Sequence, residues 1–145
     1  MPTSFHTKIH IQIPERLRAT ISRSRVRRIA QHTLRAEQAH GELSVVFVSN
    51  AKIRALNRTY HATDAPTDIL TFPLDANYLG DIVISIDTAR TNARAAQWSL
   101  ADELDLLIVH GILHLCGYDD LNKRARAKMW KRQAEILARA IPDTK

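Results

Sequence analysis

The chain has 145 residues, the size of one ordinary domain, with 45% apolar and 25% charged residues, close to the soluble globular average. A single cysteine excludes an internal disulfide framework and any multi-cysteine zinc cluster, and it fits a reducing compartment. The formal charge of +6 would not repel an acidic macromolecular substrate, and the longest apolar-rich stretch, Leu104 to Cys116, is too short and too polar to span a bilayer. The N-terminal segment MPTSFHTKIH has no apolar run of the secretory type. The expectation is a cytoplasmic, single-domain protein spanning 1–145, with no membrane association.

Lys8 to Ile13 alternates, with Ile9, Ile11 and Ile13 on one face, and reads as a strand. From Ser24 the period becomes helical: Val26, Ile29, Ala30, Thr33 and Leu34 form a stripe, and His40-Gly41 ends it. Leu43 to Ser49 is apolar and β-branched, as in a strand covered on both faces. Asn50 is placed to cap a short helix carrying Ile53, Leu56 and Tyr60. A polar loop, His61 to Thr67, leads to a strand over Asp68 to Phe72 that stops at Pro73. Another strand covers Asp81 to Ile86. Asp87 can cap a helix reaching Trp98. Ser99 with Asp102 three residues on resembles a capping box and opens the most apolar helix, which ends at Gly117. A last amphipathic helix runs from about Asn122 to Ala140, with Pro142 after it. Four strands and about five helices in mixed order predict a small α/β or α+β layer fold.

Basic residues fall in two groups. One is Arg16, Arg18, Arg23, Arg25, Arg27, Arg28 and Arg35; the other is Lys123, Arg124, Arg126, Lys128, Lys131 and Arg132. Each is either a solvated helix face or a polyanion contact, and charge alone does not choose.

Chemistry concentrates in His110 to Asp120, HGILHLCGYDD. His110 and His114 are four apart, so both imidazoles leave one helix face. After Gly117 the chain can turn back and bring Tyr118, Asp119 or Asp120 over that face. Two imidazoles and a carboxylate with open positions suit a catalytic zinc. The alternative is a hydrogen-bonded pair of core histidines. Three details favour a metal: bare histidines are costly on an apolar helix, Gly111 inside the helix implies close backbone approach, and the helix stops where a third ligand would return. Spacing alone does not say which carboxylate binds. Cys116 lies nearly opposite His114 on the helix and reads as core. Gly111 stands where H-E-x-x-H metallopeptidases carry their glutamate, which argues against peptide hydrolysis.

This segment resembles the signature of the YbeY family, bacterial metal-dependent endoribonucleases of ribosomal RNA maturation and ribosome quality control. The family pattern is H-G-x-L-H-L-x-G-Y-D-H, matched at His110, Gly111, Leu113, His114, Leu115, Gly117, Tyr118 and Asp119. A second matching block comprises Leu56, Asn57, Tyr60, Asp64, Pro66, Thr67, Asp68, Leu70, Phe72 and Pro73, and a third is Gly80-Asp81-Ile82. The resemblance implies a single domain with a mixed four-stranded sheet surrounded by helices. It also implies a divalent ion, zinc in type, on the central apolar helix and the loop after it. His110 and His114 match two of the family's three histidine ligands, and Asp120 stands where the third would be. A carboxylate there would favour harder ions such as manganese or magnesium. His61 replaces the family's arginine near the metal cleft, as a titratable cation that could touch phosphate or shuttle a proton.

The function this implies is cleavage of single-stranded ribosomal RNA, with ribosomal RNA and the small ribosomal subunit as partners. Arg25, Arg27, Arg28 and Arg58 are the candidate RNA contacts. Asp119 is expected to cap the last helix, and Asp81 to be structural. The second reading is a catalytically weakened ribosome- or RNA-binding module of the same fold.

Overall fold

The computed structural model describes residues 8–74 and 77–140. Pro142 and the first seven residues lie outside that range. The strands are β1 (Ile9–Gln12), β2 (Glu42–Val48), β3 (Ile69–Pro73) and β4 (Tyr78–Ser85). The helices are α1 (Arg23–Ala36), α2 (Asn50–His61), α3 (Ile86–Ala96), α4 (Leu100–Leu115) and α5 (Lys123–Ala140). The single sheet has the order β1-β2-β4-β3. The first three are parallel, with Ile11 opposite Val45 and Val45 opposite Ile82, while β3 runs antiparallel to β4 at the edge. Among the described residues the observed architecture is therefore the expected mixed four-stranded sheet with five helices. Among the described residues no helix is long and apolar enough to cross a membrane.

Each strand buries the residues its pattern dictates. In β1 the isoleucines are buried and His10 and Gln12 exposed; in β2 Leu43, Val45 and Phe47 point into the main core. That core is closed by α1, α3, α4 and α5. On the other face α2 packs Ile53 against Leu70 and Val83 in a second, smaller cluster. Helix α4 is buried along most of its length, with Leu104, Leu107, Ile108, Val109, Ile112 and Leu113 each at most 5% exposed.

Gly111 has a packing reason. A Cβ there would sit 2.9 Å from Ile82 Cδ1 and 3.0 Å from Ile69 Cδ1, so the glycine lets α4 lie close on β3 and β4. The close backbone approach that a mid-helix glycine implies is thus present, but it is made by the sheet, so Gly111 carries no argument for a metal.

Several boundaries differ from expectation for local reasons. Ser49, not Asn50, caps α2, its hydroxyl accepting from the Lys52 N–H. Ser85, not Asp87, caps α3 by accepting from the Thr88 N–H. Serine hydroxyls reach the third amide from the usual extended cap conformation. The displaced residues bond to each other instead, Asp87 accepting from the Asn50 N–H at 2.8 Å. Strand β3 does end at Pro73, which is its last residue and pairs with Gly80, since an edge strand tolerates a missing N–H. Strand β4 starts at Tyr78, three residues before Asp81. The 3₁₀ turn Glu15–Leu17, which buries Leu17, is an element the periodicity does not predict.

Candidate metal centre and nucleic-acid face

The C-terminal half of α4 carries His110 and His114 with their ring centroids 6.3 Å apart. His110 is half-buried and His114 exposed. Each ring is held by its Nδ1. His110 Nδ1–H donates to Gln133 Oε1 of α5 at 3.1 Å, and His114 Nδ1–H donates to the Tyr118 carbonyl at 3.0 Å. Gln133 is 2% exposed, so its acceptor is fixed by packing. With Nδ1 engaged as a donor, the lone pair of a neutral imidazole is on Nε2, and neither Nε2 has a partner among the described residues. Metal-ligating histidines are oriented in this way, by a second acceptor on the far ring nitrogen.

The chain reversal that supplies the Tyr118 carbonyl is built locally. Cys116 ends α4, Gly117 follows at φ +105°, and the Tyr118 N–H donates back to the Leu113 carbonyl. Desolvation of the ring, helped by neighbouring His110, holds His114 below the ordinary imidazole pKa. Asp120 and Asp119 oppose that shift. A depressed pKa keeps the ring neutral near pH 7, as a ligand must be.

Asp120 is exposed, in the turn between α4 and α5, close enough for its charge to act on His114. Among the described residues, no three His, Cys, Asp or Glu side chains come close enough to hold one ion together. The structure thus assembles His110 with His114 but does not bring Asp120 into a three-donor cluster. Asp119 does not cap α5 as expected. Its Oδ1 accepts from the Leu121 N–H, tightening the turn, while Asn122 Oδ1 accepts from the Ala125 N–H at the start of the helix. Asp81 is half-buried in β4, opposite Phe72. Cys116 is half-buried against the core, and burial pushes its thiol up to about 11, so it is not a thiolate ligand at neutral pH.

His61 ends α2, exposed, with its ring 5.9 Å from that of Phe72; Tyr60 meets the same ring edge-on at 5.3 Å. The Phe72 carbonyl and the Leu115 side chain both crowd Gly80, 2.6 and 2.7 Å from where its Cβ would be. The ends of α2, β3 and α4 therefore meet at one end of the sheet, and His61 belongs to the same end as His114.

The arginine candidates separate. Arg25 is a structural clamp: its guanidinium binds Asp105 through both Nη2, at 2.7 Å, and Nε, and also reaches Asp102 at 3.1 Å. Asp105 is 4% exposed, and this pair ties α1 to α4. The hydrogen bond to Asp105 raises the Arg25 pKa further. This removes Arg25 from the free RNA contacts, because its planar fork is already filled. Arg27 is half-buried and donates to the Ile9 carbonyl. Arg58 is exposed and shares Asp64 with Arg54 at a long 3.4 Å. Of the four, Arg28 is the exposed guanidinium without a partner among the described residues.

Sequence reasoning missed Gln133. Its signal was a polar residue in the buried stripe Met129, Gln133, Ile136, at helical spacing. The Tyr118 acceptor is backbone and leaves no mark in side-chain composition.

A family model described as endoribonuclease YbeY matches residues 7–141. The endoribonuclease YbeY of Geobacillus kaustophilus is 45% identical over 112 residues, covering 68% of this chain and 72% of that protein. That of Halalkalibacterium halodurans is 38% identical over 133 residues, covering 81% and 83%. The solution structure of a Thermotoga maritima protein superposes with a TM-score of 0.66 at 25% identity, covering 93% of this chain and 89% of that one.

Proposed function

The chain belongs to the YbeY endoribonuclease family, and we propose from this membership that it hydrolyses single-stranded RNA at the face carrying His110 and His114. The observation that carries the proposal is the oriented histidine pair, each Nδ1 engaged and each Nε2 free. The two Nε2 atoms would hold a divalent ion, zinc by ligand type; Asp120, exposed in the turn after α4 and not converged with them, would have to swing in to serve as the third protein donor. If Asp120 does ligate, its carboxylate also admits manganese or magnesium. A bound ion supplies positive charge against the charge developing on a scissile phosphate.

The protein's own groups have separate tasks. Gln133 and the Tyr118 carbonyl fix the ring planes so that the site needs little reorganisation. His61 is the catalytic candidate at the same end of the sheet, touching phosphate when protonated or passing a proton when neutral. Arg28 supplies backbone contacts, with Arg58 as a weaker one because Asp64 shares it. The substrate we propose is ribosomal RNA on or near the small ribosomal subunit, in RNA maturation and ribosome quality control in the cytoplasm.

A binding module without fast chemistry is the second reading, favoured by the absence of a converged third donor among the described residues and by His61 in place of an arginine. Peptide hydrolysis is disfavoured, since Gly111 is packed on the sheet and offers no general base. The test is cleavage of a labelled single-stranded RNA, alongside its duplex, with and without chelator. The proposal expects cleavage of the single strand that stops with chelator and returns with added ion. Tight binding without cleavage under any divalent ion would move the chain to the binding-module reading.

A further inference from the structure

Helix α5 holds seven Lys or Arg and one acidic residue, Glu135. One of the seven, Arg132, is committed to Glu37, Glu135 and the Ala36 carbonyl. Lys123, Arg126 and Trp130 recur at the spacing of one helix face, and all three are exposed. Neither Lys123 nor Arg126 has a partner among the described residues. Trp130 leaves 51% of its surface in water, although its ring lies only 6.4 Å from that of His110. The buried stripe of α5, Met129, Gln133 and Ile136, lies about a quarter turn round the helix from Trp130 and already holds the helix in place. Half of the indole is thus left in water rather than packed.

We infer that Trp130 is a nucleobase-stacking platform beside the histidine pair, with Arg126 and Lys123 holding phosphates of the same single strand. An exposed indole next to unpaired cations is the combination that binds single strands without sequence preference, because every base offers a π-face. At 1.5 Å rise per residue, Arg126 and Lys123 lie about 6 and about 10 Å from Trp130 along the axis. That is the reach of about two to three nucleotides stacked at about 3.4 Å each. A base on Trp130 would set the strand against His110 before any chemistry. The charge of α5 selects a polyanion over a protein partner as the occupant. This deepens the ribonuclease reading and rests on it for the choice of RNA.

The test reads binding without cleavage. The whole protein is titrated with a ten-nucleotide thymidylate strand and, separately, with inorganic polyphosphate, while tryptophan emission is followed. The strand should quench emission and polyphosphate should not. The quenched component should be missing in Trp130→Phe, since Trp98 remains. Trp130→Ala should weaken strand binding about tenfold, and Trp130→Phe by no more than about threefold, because a phenyl ring still stacks. Arg126→Gln should lower the salt slope by about 0.7, one phosphate contact on a single strand. Equal quenching by polyphosphate, or unchanged affinity in Trp130→Ala, overturns the inference and hands this face to another partner. Cleavage is scored apart. RNA hydrolysis without base-dependent quenching sinks the platform alone, and quenching without hydrolysis sinks the nuclease reading alone. Failure to bind the strand at all sinks the platform.

Discussion

Replacing Arg25 with Gln separates a structural arginine from an RNA contact. The guanidinium meets Asp105 at 2.7 Å and Asp102 at 3.1 Å, and Asp105 is 4% exposed. Removing one partner of a buried pair strands the other charge, at about 3–5 kcal/mol. Arg25 itself is 34% exposed, so water screens part of that cost, and we expect about 2–3 kcal/mol. For a domain of this size the unfolding temperature should fall roughly 6–9 °C. Urea unfolding should show a lower midpoint with an unchanged slope. Asp105→Asn in the same chain removes the stranded charge, so the double variant should recover at least about 1 kcal/mol of the summed losses. Arg28→Gln should do the converse. It should leave stability within about 0.5 kcal/mol, as a surface substitution does, and lower the salt slope of RNA binding by about 0.7. The clamp assignment fails if Arg25→Gln unfolds at the wild-type midpoint while flattening the salt dependence.

Three further outcomes follow from the site and its support. Gln133→Leu removes the acceptor that orients His110 and should weaken metal affinity about 10–100-fold, read by competition with a chromophoric chelator; unchanged affinity would mean the His110 ring is held without it. Asp120→His should raise zinc affinity and shift preference from manganese towards zinc; if neither moves, the third donor is Asp119 or water. Glu103, buried on α4, accepts from Trp98 Nε1–H at 2.9 Å, and desolvation with nearby Asp68 raises its pKa above the ordinary carboxylate value. The folded state therefore binds a proton more readily than the unfolded one, so this group's contribution is full below the unfolded pKa and is lost as pH rises through the folded value. Glu103→Gln, which can keep the Trp98 bond, should be more stable than wild type at pH 7 and equal to it near pH 4; a constant difference across that range would contradict the linkage.

The sheet and helices were legible because their periods are clean. The alternating isoleucines of β1, the β-branched run of β2 and the apolar length of α4 admit one arrangement each. The histidine pair was legible from i, i+4 spacing, and the family from the residues around it. What sequence did not disclose is long-range pairing. Arg25 and Asp105 are 80 residues apart, and nothing local distinguishes Arg25 from Arg28. The same holds for Gln133, 23 residues beyond His110. Gly111 was read through helix propensity, whereas its environment is set by Ile69 and Ile82 from two strands. Caps moved to serines because a hydroxyl one or two residues earlier outcompeted Asn50 and Asp87.

The central claim is that His110 and His114 together hold a catalytic divalent ion. Calorimetric titration of chelator-stripped protein with zinc tests it most directly. Wild type should take up one equivalent, and His110→Ala and His114→Ala, shown folded by circular dichroism, should take up none. Uptake at wild-type stoichiometry and affinity by either variant would contradict the claim.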